Sequence, residues 1–153
     1  MKISIGVIKE GKVPSDQRVP LRPEQVLRLL DKPFVENIKI QRDLRRCFSD
    51  EEYRKQGLSV VDDVSDCDIL MGVKEVPIDQ LIPGKTYFFF SHTIKEQVYN
   101  RSLLQAVIDK KIRLIDYEVL TNDTGQRLIA FGRFAGMVGA HNAIWTYEQR
   151  HGI

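Results

Sequence analysis

Short apolar segments alternate with helical patterns along the chain, and this alternation constrains the fold more than any other feature of the sequence. The apolar segments are rich in Ile, Val and Phe and only a few residues long, which is typical of buried strands. In chain order they read KISIGVI, NIKIQ, LSVV, DILMGV, TYFFFS and RLIDY. Because most are apolar on both faces and helices separate most of them, the sequence predicts an α/β domain. We expect a mainly parallel, twisted sheet with helices on both faces.

The segments between these strands carry the local signals of helices and turns. Pro23 suits the first turn of a helix, and apolar residues recur behind it at helical spacing. Ser49 and Glu52 have the spacing of a capping box, which satisfies free N–H groups at a helix start. The predicted helices are residues 23–32, 49–57, 98–112 and 135–150. The turn signal NDTG between YEVL and RLIAF predicts a β-hairpin.

Length and composition limit the class of protein. At 153 residues, 42% hydrophobic and 29% charged, the chain is typical of one globular domain. The net charge of +2 is small and dispersed, which argues against a nucleic-acid partner. Cys47 and Cys67 lack the spacing of a zinc site, so we predict no metal and reduced thiols. No stretch has the length of a membrane span and the amino terminus does not fit a signal peptide, so we expect a cytoplasmic location and no membrane partner.

Polar side chains follow several predicted strands at the point where each strand ends. In parallel sheets these ends lie at one edge, where ligands bind. The side chains are Lys9 and Glu10, Lys74 and Glu75, Ser91, His92 and Lys95, and Asp116 and Glu118. A lysine, an imidazole and carboxylates in a partly dry cleft suit proton transfer, because burial and nearby charges tune how readily such groups exchange protons.

The same residues also have plain structural interpretations. Lys74 could be only the first solvated residue after a strand, and His92 could be a buried histidine with one hydrogen bond. Glu75 and Glu118 also fit surface carboxylates, and Arg18 fits a solvated loop. The residue pattern alone leaves both interpretations open.

The glycines near the carboxyl end do not form a dinucleotide-binding fingerprint. Gly132, Gly136 and Gly139 are wrongly spaced for GxGxxG, and too few residues follow for the acidic residue that binds the ribose. No GxSxG, HExxH or P-loop pattern occurs either. We therefore predict no cofactor-binding residues in this chain.

Longer motifs resemble one known superfamily. IGVIKEGKVPSDQRVPLRPEQV is similar to the opening of the amino-terminal domain of alanine dehydrogenase and transhydrogenase. The motifs of the second half resemble saccharopine dehydrogenase and lysine-ketoglutarate reductase more than alanine dehydrogenase. They are GVKEVP, FFFSHTIKEQ, RLIDYEVLTNDTGQRLIAFGRFAG and VGAHNAIWTY. The resemblance spans essentially the whole chain and implies a Rossmann-like or flavodoxin-like fold.

The resemblance also implies roles for individual residues. It makes Lys74 and His92 the acid–base pair, with Glu75 and Glu118 as neighbours that tune their charge. The substrate contacts that it implies are Arg18, Lys95, Arg127 and Phe131. Basic side chains of this kind suit saccharopine, an adduct of lysine and 2-oxoglutarate that carries three carboxylates. Arg22 stands where the family usually has a threonine, and we expect the missing cap to weaken the helix start by about 1 kcal/mol.

The function that the resemblance implies is the substrate domain of an NAD(P)-dependent saccharopine-type dehydrogenase of lysine metabolism. Its reaction would move a hydride at a C–N bond, with an imine formed or hydrolysed. NAD or NADP would be bound mainly by a Rossmann domain beyond this chain. Residues 1–134 would then bind the substrate, saccharopine or lysine plus 2-oxoglutarate, and residues 135–153 would form the connecting helix. We expect the isolated chain to fold but to be inactive.

Two other functions fit the same residues. An alanine dehydrogenase-like enzyme would line its pocket with the same Arg18, Lys74 and His92. A stand-alone regulatory domain would bind an amino or keto acid without turnover. The apolar face of the AIWTY segment also makes a homo-oligomer a possible state of the isolated chain.

Overall fold

Six strands form one parallel sheet in the computed structural model, which describes residues 2–14 and 16–152. The strands are β1 (Ile3–Val7), β2 (Val35–Gln41), β3 (Ser59–Val61), β4 (Ile69–Met71), β5 (Thr86–Phe89) and β6 (Arg113–Asp116). Their order across the sheet is β3-β2-β1-β4-β5-β6, and the neighbouring pairs in the described residues are all parallel. This is the strand order of a Rossmann-like sheet, in which the winding reverses between β1 and β4.

Helices cover both faces of this sheet. They are α1 (Pro23–Leu30), α2 (Asp50–Lys55) and α3 (Arg101–Asp109); a further helix, α4 (Gly132–His151), follows later in the chain. Leu70 of β4 lies in one hydrophobic core with Leu103 of α3. The adjacent Met71 packs against a second core, which contains Val26 of α1 and Tyr53 of α2. Because successive strand residues point to opposite faces, these two cores lie on the two sides of the sheet. The predicted fold class is confirmed.

The predicted helix starts differ in how they are capped. At α2 the capping box is present: the Ser49 Oγ accepts from the Glu52 N–H at 3.3 Å, and the Glu52 carboxylate accepts from the Ser49 N–H at 2.7 Å. At α1 the side chain of Arg22 makes no capping bond within the described residues. Only the reciprocal bond forms there, because the Gln25 Oε1 accepts from the Arg22 N–H at 2.9 Å. The expected absence of a capping oxygen is therefore confirmed.

The predicted hairpin is only partly correct. The tight turn is present, since Thr121 and Arg127 form an antiparallel bridge and the Asn122 N–H donates to the Gln126 carbonyl at 2.9 Å. The flanking strands are wrong, because residues Tyr117–Val119 form a 3₁₀ turn and the described residues show no ladder beyond that bridge. The Asn122 side-chain oxygen accepts the N–H groups of both Thr124 and Gln126. These local bonds satisfy donors that a ladder would otherwise use.

The chain forms two compact units, Met1–Tyr117 and Glu118–Ile153. The first contains the sheet with α1, α2 and α3, and the second contains the NDTG turn and α4. The predicted division into residues 1–134 and 135–153, with a connecting function for the last helix, remains a prediction. In the described ranges, none of the helices combines the length and the apolar character that a membrane span requires.

Candidate acid–base and substrate site

Lys74 and His92 follow neighbouring strands, β4 and β5. Beyond the last strand residues, the Phe90 N–H donates to the Val73 carbonyl at 3.0 Å, so the two chains remain paired up to that point. Lys74 is the next residue after Val73, and His92 is two residues after Phe90. The two residues therefore lie on adjoining segments at the carboxyl edge of the sheet, not on opposite sides of the molecule.

The segment that carries Lys74 is held by Glu10, which follows β1. The Glu10 carboxylate is buried and accepts hydrogen bonds from the Val73 N–H at 2.7 Å and the Lys74 N–H at 2.9 Å. Burial raises the pKa of the Glu10 carboxyl, and the two backbone hydrogen bonds offset part of that effect. Gly72 leaves room for this contact, because a Cβ there would lie 3.0 Å from Ile8 and 3.3 Å from the Glu10 Oε1.

Arg18 lies in the long loop between β1 and α1 and is paired with Asp16. The Asp16 carboxylate accepts from the Arg18 Nε at 2.9 Å and from its Nη2 at 2.6 Å. This hydrogen bonding lowers the pKa of the Asp16 carboxyl, and the charge of Lys74 acts in the same direction. The segment between β2 and α2 also holds this loop, because the Cys47 N–H donates to the Gln17 carbonyl at 2.7 Å. Arg18 and Lys74 are therefore both coupled to Asp16.

Glu75, the second charged residue after β4, forms an ion pair with Lys12. Burial opposes ionisation of the Glu75 carboxyl, but the hydrogen bond and charge of Lys12 outweigh burial and lower its pKa. A cavity of about 490 Å³ lies beside this pair, and its lining includes Lys12, Glu75 and Asn100. These residues come from the loops after β1, β4 and β5, so the three strand ends converge there, as expected for a parallel sheet.

His92 has an unusual backbone conformation. Its φ is 58°, in the left-handed region, which is uncommon for residues other than glycine and is concentrated at functional sites. Its carbonyl accepts from the Lys95 N–H at 3.1 Å and from the Asn100 Nδ2 at 3.0 Å. The Lys95 Nζ lies 3.2 Å from the His92 Nδ1. The predicted acid–base residue and the predicted substrate lysine are thus direct neighbours.

Ser91 and Asp116 connect the ends of β5 and β6. Ser91 is fully buried, and its hydroxyl donates to the Asp116 carboxylate. The Ser91 Oγ also accepts from the Thr93 N–H at 3.1 Å, which fixes the turn that follows His92. The strand-end pattern predicts both residues at this edge. In the structure, Asp116 holds the Ser91 hydroxyl, and Ser91 in turn holds the turn after His92.

The remaining predicted site residues lie in the second unit. The Arg127 Nη2 lies 3.3 Å from the Glu118 Oε1, so these two residues form an ion pair. Phe131 immediately precedes α4 and is exposed. Their predicted roles towards Lys74 and His92 remain predictions.

Sequence reasoning gave no role to several residues of this region. Lys12 and Asp16 are charged residues in a loop, and only their ion pairs with Glu75 and Arg18 reveal them. Tyr117 is buried beside the rings of Phe88 and Phe90, at centroid distances of 6.1 Å and 5.2 Å. Its hydroxyl has no hydrogen-bond partner among residues 2–14 and 16–152. A loop without periodicity carries no sequence signal for such contacts. Tyr117 was predicted only as the last residue of an apolar strand.

A Rossmann-like domain whose strand ends collect charged side chains is typical of domains that bind small molecules at that edge. Residues 6–138 match the family described as alanine dehydrogenase/PNT, N-terminal domain. The chain belongs to this family, which confirms the resemblance seen in its motifs.

Curated relatives have names from lysine metabolism. The chain is 40% identical over 129 residues to the mitochondrial alpha-aminoadipic semialdehyde synthase of Bos taurus, covering 84% of this chain and 14% of that protein. It is 35% identical over 150 residues to alpha-aminoadipic semialdehyde synthase of Arabidopsis thaliana, covering 95% of this chain and 14% of that protein. With saccharopine dehydrogenase [NAD(+), L-lysine-forming] of Emericella nidulans it shares 31% identity over 146 residues, covering 90% of this chain and 38% of that protein. The chain thus spans only a minor part of these relatives.

Solved structures share the fold. An L-alanine dehydrogenase superposes with a TM-score of 0.63 and 21% identity, covering 81% of this chain and 35% of that chain. A transhydrogenase from Sinorhizobium meliloti superposes with a TM-score of 0.63 and 19% identity, covering 79% of this chain and 36% of that chain. At these identities the similarity concerns the Rossmann-like architecture.

Proposed function

We propose that this chain is the substrate-binding domain of a saccharopine-type amino-acid dehydrogenase, in which Lys74 and His92 exchange protons with the substrate. The observation that carries the proposal is the pairing of the two strand ends, in which the Phe90 N–H donates to the Val73 carbonyl at 3.0 Å immediately before these residues. The names of the relatives, alpha-aminoadipic semialdehyde synthase and saccharopine dehydrogenase, support saccharopine, or lysine plus 2-oxoglutarate, as the substrate.

The two proton-transfer groups have different tasks in this proposal. Lys74 exchanges the proton of the substrate amine, and His92 exchanges the proton of the water or carbinolamine formed as the imine reacts. When Lys95 donates to the His92 Nδ1, the neutral ring carries its proton on Nε2. Glu75, in its ion pair with Lys12, keeps a negative charge next to Lys74, and Glu118 is proposed to act similarly.

The substrate would be held chiefly through its carboxylates. Arg18, Lys95 and Arg127 are proposed to bind them, since guanidinium and ammonium groups form charge-assisted hydrogen bonds with carboxylates. Phe131 is proposed as an apolar contact. The ion pair of Arg18 with Asp16 holds the guanidinium in one orientation before substrate arrives, which reduces the entropy that binding must overcome.

A nicotinamide cofactor, NAD or NADP, would accept or supply the hydride of this reaction. Gly132 is the first residue of α4, and Gly136 and Gly139 lie inside it, so these three glycines do not form one loop. A phosphate-binding glycine loop would instead lie between a strand and a helix, where backbone N–H groups are free. We propose that residues 135–153 lead to the part of the enzyme that binds the cofactor.

Calorimetric titration of the chain tests this function. We expect saccharopine to bind more tightly than lysine, alanine or pyruvate, because only saccharopine offers three carboxylates to the basic side chains. Arg18→Met should weaken binding by about tenfold, the loss expected for a charged hydrogen bond. The control is Lys55→Met, which removes an exposed lysine of α2 and should leave the affinity unchanged.

Other outcomes of the same titration would contradict the proposal. Saccharopine that binds no better than lysine would remove the basis for a saccharopine site. Binding of alanine or pyruvate instead would favour an alanine dehydrogenase-like domain. A second experiment measures turnover of the complete enzyme with Lys74→Met and His92→Gln. If a keto or amino acid binds the chain but these two variants leave turnover intact, a regulatory domain would be the better description.

A further inference from the structure

Two carboxylates tie β1 to β4, one at each end of the strand pair. At the amino ends, the Asp68 Oδ2 accepts from the Ser4 N–H at 2.8 Å and from the Ser4 hydroxyl at 2.7 Å. At the carboxyl ends, the Glu10 carboxylate accepts from the N–H groups of Val73 and Lys74 at 2.7 Å and 2.9 Å. Asp68 is exposed, whereas Glu10 is only 5% exposed.

The Glu10 side chain continues a ladder that the backbone does not complete. The pairing of β1 with β4 ends where the Ile8 N–H donates to the Met71 carbonyl at 3.0 Å. Beyond Met71, the N–H groups of Val73 and Lys74 find no backbone carbonyl of β1 to bond to. The carboxylate supplies one oxygen to each of them. A buried carboxylate is unfavourable unless it is hydrogen-bonded, so both oxygens are held in place by this contact.

Glu10 is itself fixed from the other side. The Arg45 Nη2 donates to the Glu10 carbonyl at 3.2 Å, which connects the backbone of Glu10 to the segment after β2. The charges of Asp16 and Arg18 both affect the pKa of the Glu10 carboxyl, so the loop that carries Arg18 lies within electrostatic reach. Glu10 therefore binds the segment after β2 through its carbonyl and the Lys74 backbone through its carboxylate.

We propose that Glu10 is a positioning residue for Lys74: its carboxylate fixes the backbone from which the Lys74 amine extends towards the substrate. This inference rests on the proposed function, in which Lys74 exchanges a proton with the substrate amine. A lysine side chain has several rotatable bonds, so its amine is placed well only when its backbone is held. Reacting groups that are misplaced by about 1 Å lose much of their rate advantage.

The test compares Glu10→Gln with Asp68→Asn. Both changes convert a carboxylate that ties β1 to β4 into an amide, but only Glu10 contacts the Lys74 backbone. In Glu10→Gln, the amide NH₂ faces one of the two backbone donors and leaves it without an acceptor. Three quantities are measured on the 153-residue chain: exchange of the Val73 and Lys74 amide protons, acetylation of the Lys74 amine, and saccharopine affinity. Urea unfolding corrects each quantity for any loss of stability.

We expect Glu10→Gln to exchange the Val73 or Lys74 amide proton at least about tenfold faster, because a hydrogen bond that protects it is lost. The Lys74 acetylation rate, relative to exposed Lys55, should rise several-fold as the segment loosens. Saccharopine should bind about tenfold more weakly, whereas Asp68→Asn should leave all three quantities near those of the wild type. Glu10→Asp keeps the charge but is one methylene shorter, so its amide exchange, acetylation rate and affinity should lie between those of the wild type and Glu10→Gln.

Equal behaviour of Glu10→Gln and Asp68→Asn after correction for stability would overturn the inference, because Glu10 would then be only a tie between strands. Should Glu10→Gln fail to fold, Glu10→Asp replaces it, because the shorter side chain withdraws the carboxylate from the Val73 and Lys74 N–H groups with its charge intact. If the wild-type chain does not bind saccharopine, the proposed function fails. Amide exchange and acetylation still decide the positioning role in that case.

Discussion

Two buried tyrosines, Tyr53 and Tyr117, differ in whether their hydroxyl groups have hydrogen-bond partners. The Tyr53 hydroxyl donates to the Leu21 carbonyl at 2.7 Å, and its ring lies 4.8 Å from the Arg46 guanidinium. The Tyr117 hydroxyl is also buried, but it contacts no acceptor or donor in the described part of the chain. Burial raises the pKa of the Tyr117 hydroxyl, and the charge of Glu10 adds to that effect. The Tyr117 hydroxyl thus lies within electrostatic reach of the residue that holds Lys74.

This difference predicts opposite effects for the same substitution at two positions. Tyr117→Phe removes a buried hydroxyl that has lost its hydration without gaining a described partner, so the chain should be as stable as the wild type or more stable. Tyr53→Phe breaks a hydrogen bond and should lower the free energy of unfolding by about 1 kcal/mol. Urea unfolding measures both variants. Equal destabilisation by the two would show that the Tyr117 hydroxyl has a partner.

The candidate site could be predicted from the sequence only where a rule links position to geometry. Lys74 and His92 follow apolar strands directly, and the rule that parallel strand ends share an edge brings them together. The contact of Glu10 with Lys74 depends on the register of β1 against β4, which joins residues 64 positions apart. The pairs Asp16–Arg18 and Lys12–Glu75 depend on loop conformations that no periodic pattern specifies.

At the scale of single elements, local signals specified the helices better than the turns. The box of Ser49 and Glu52 forms as its spacing indicates, since both bonds lie within one helical turn. The NDTG segment forms a tight turn, but the pairing beside it is limited to the Thr121–Arg127 bridge, and the Asn122 side-chain oxygen accepts from neighbouring N–H groups. Segment boundaries also shifted: the predicted helix 98–112 is α3 (Arg101–Asp109), preceded by a 3₁₀ turn at Val98–Asn100.

The start of α1 offers a direct test of helix capping. Arg22 already has the extended backbone of an N-cap, with φ −71° and ψ 158°, and the Gln25 side chain already accepts from its N–H. Arg22→Ser adds the missing oxygen acceptor and should raise the free energy of unfolding by about 1 kcal/mol. Arg22→Ala, the control, should give no such gain. A serine variant no more stable than the alanine variant in urea would contradict this account of the helix start.

For the whole molecule, the strands were predictable and their order was not. Six short segments rich in apolar residues correspond to β1–β6, because burial selects apolar residues at most strand positions. The order β3-β2-β1-β4-β5-β6 arises from long-range pairing, such as that of Ile5 with both Ile38 and Ile69. No local pattern contains that information, although the rule that crossovers are right-handed restricts the choices.

The two cores should dominate the stability of the sheet-containing unit. Leu70 lies in the centre of the sheet and is 1% exposed, so Leu70→Ala should lower the free energy of unfolding by about 2–5 kcal/mol through lost burial and a cavity. Leu44 is 94% exposed, and Leu44→Ala should change the free energy of unfolding by less than about 0.5 kcal/mol. Urea denaturation compares the two variants. A similar small effect at both positions would be inconsistent with a core built around β4.

The most direct measurement of the central claim is a titration of the isotope-labelled chain with saccharopine, followed by the backbone amide signals of its residues. If the ends of β4 and β5 form one site, the signals of Lys74 and His92 should shift together and report the same dissociation constant. Shifts at only one of the two, or shifts confined to residues remote from both strand ends, would contradict a shared acid–base site.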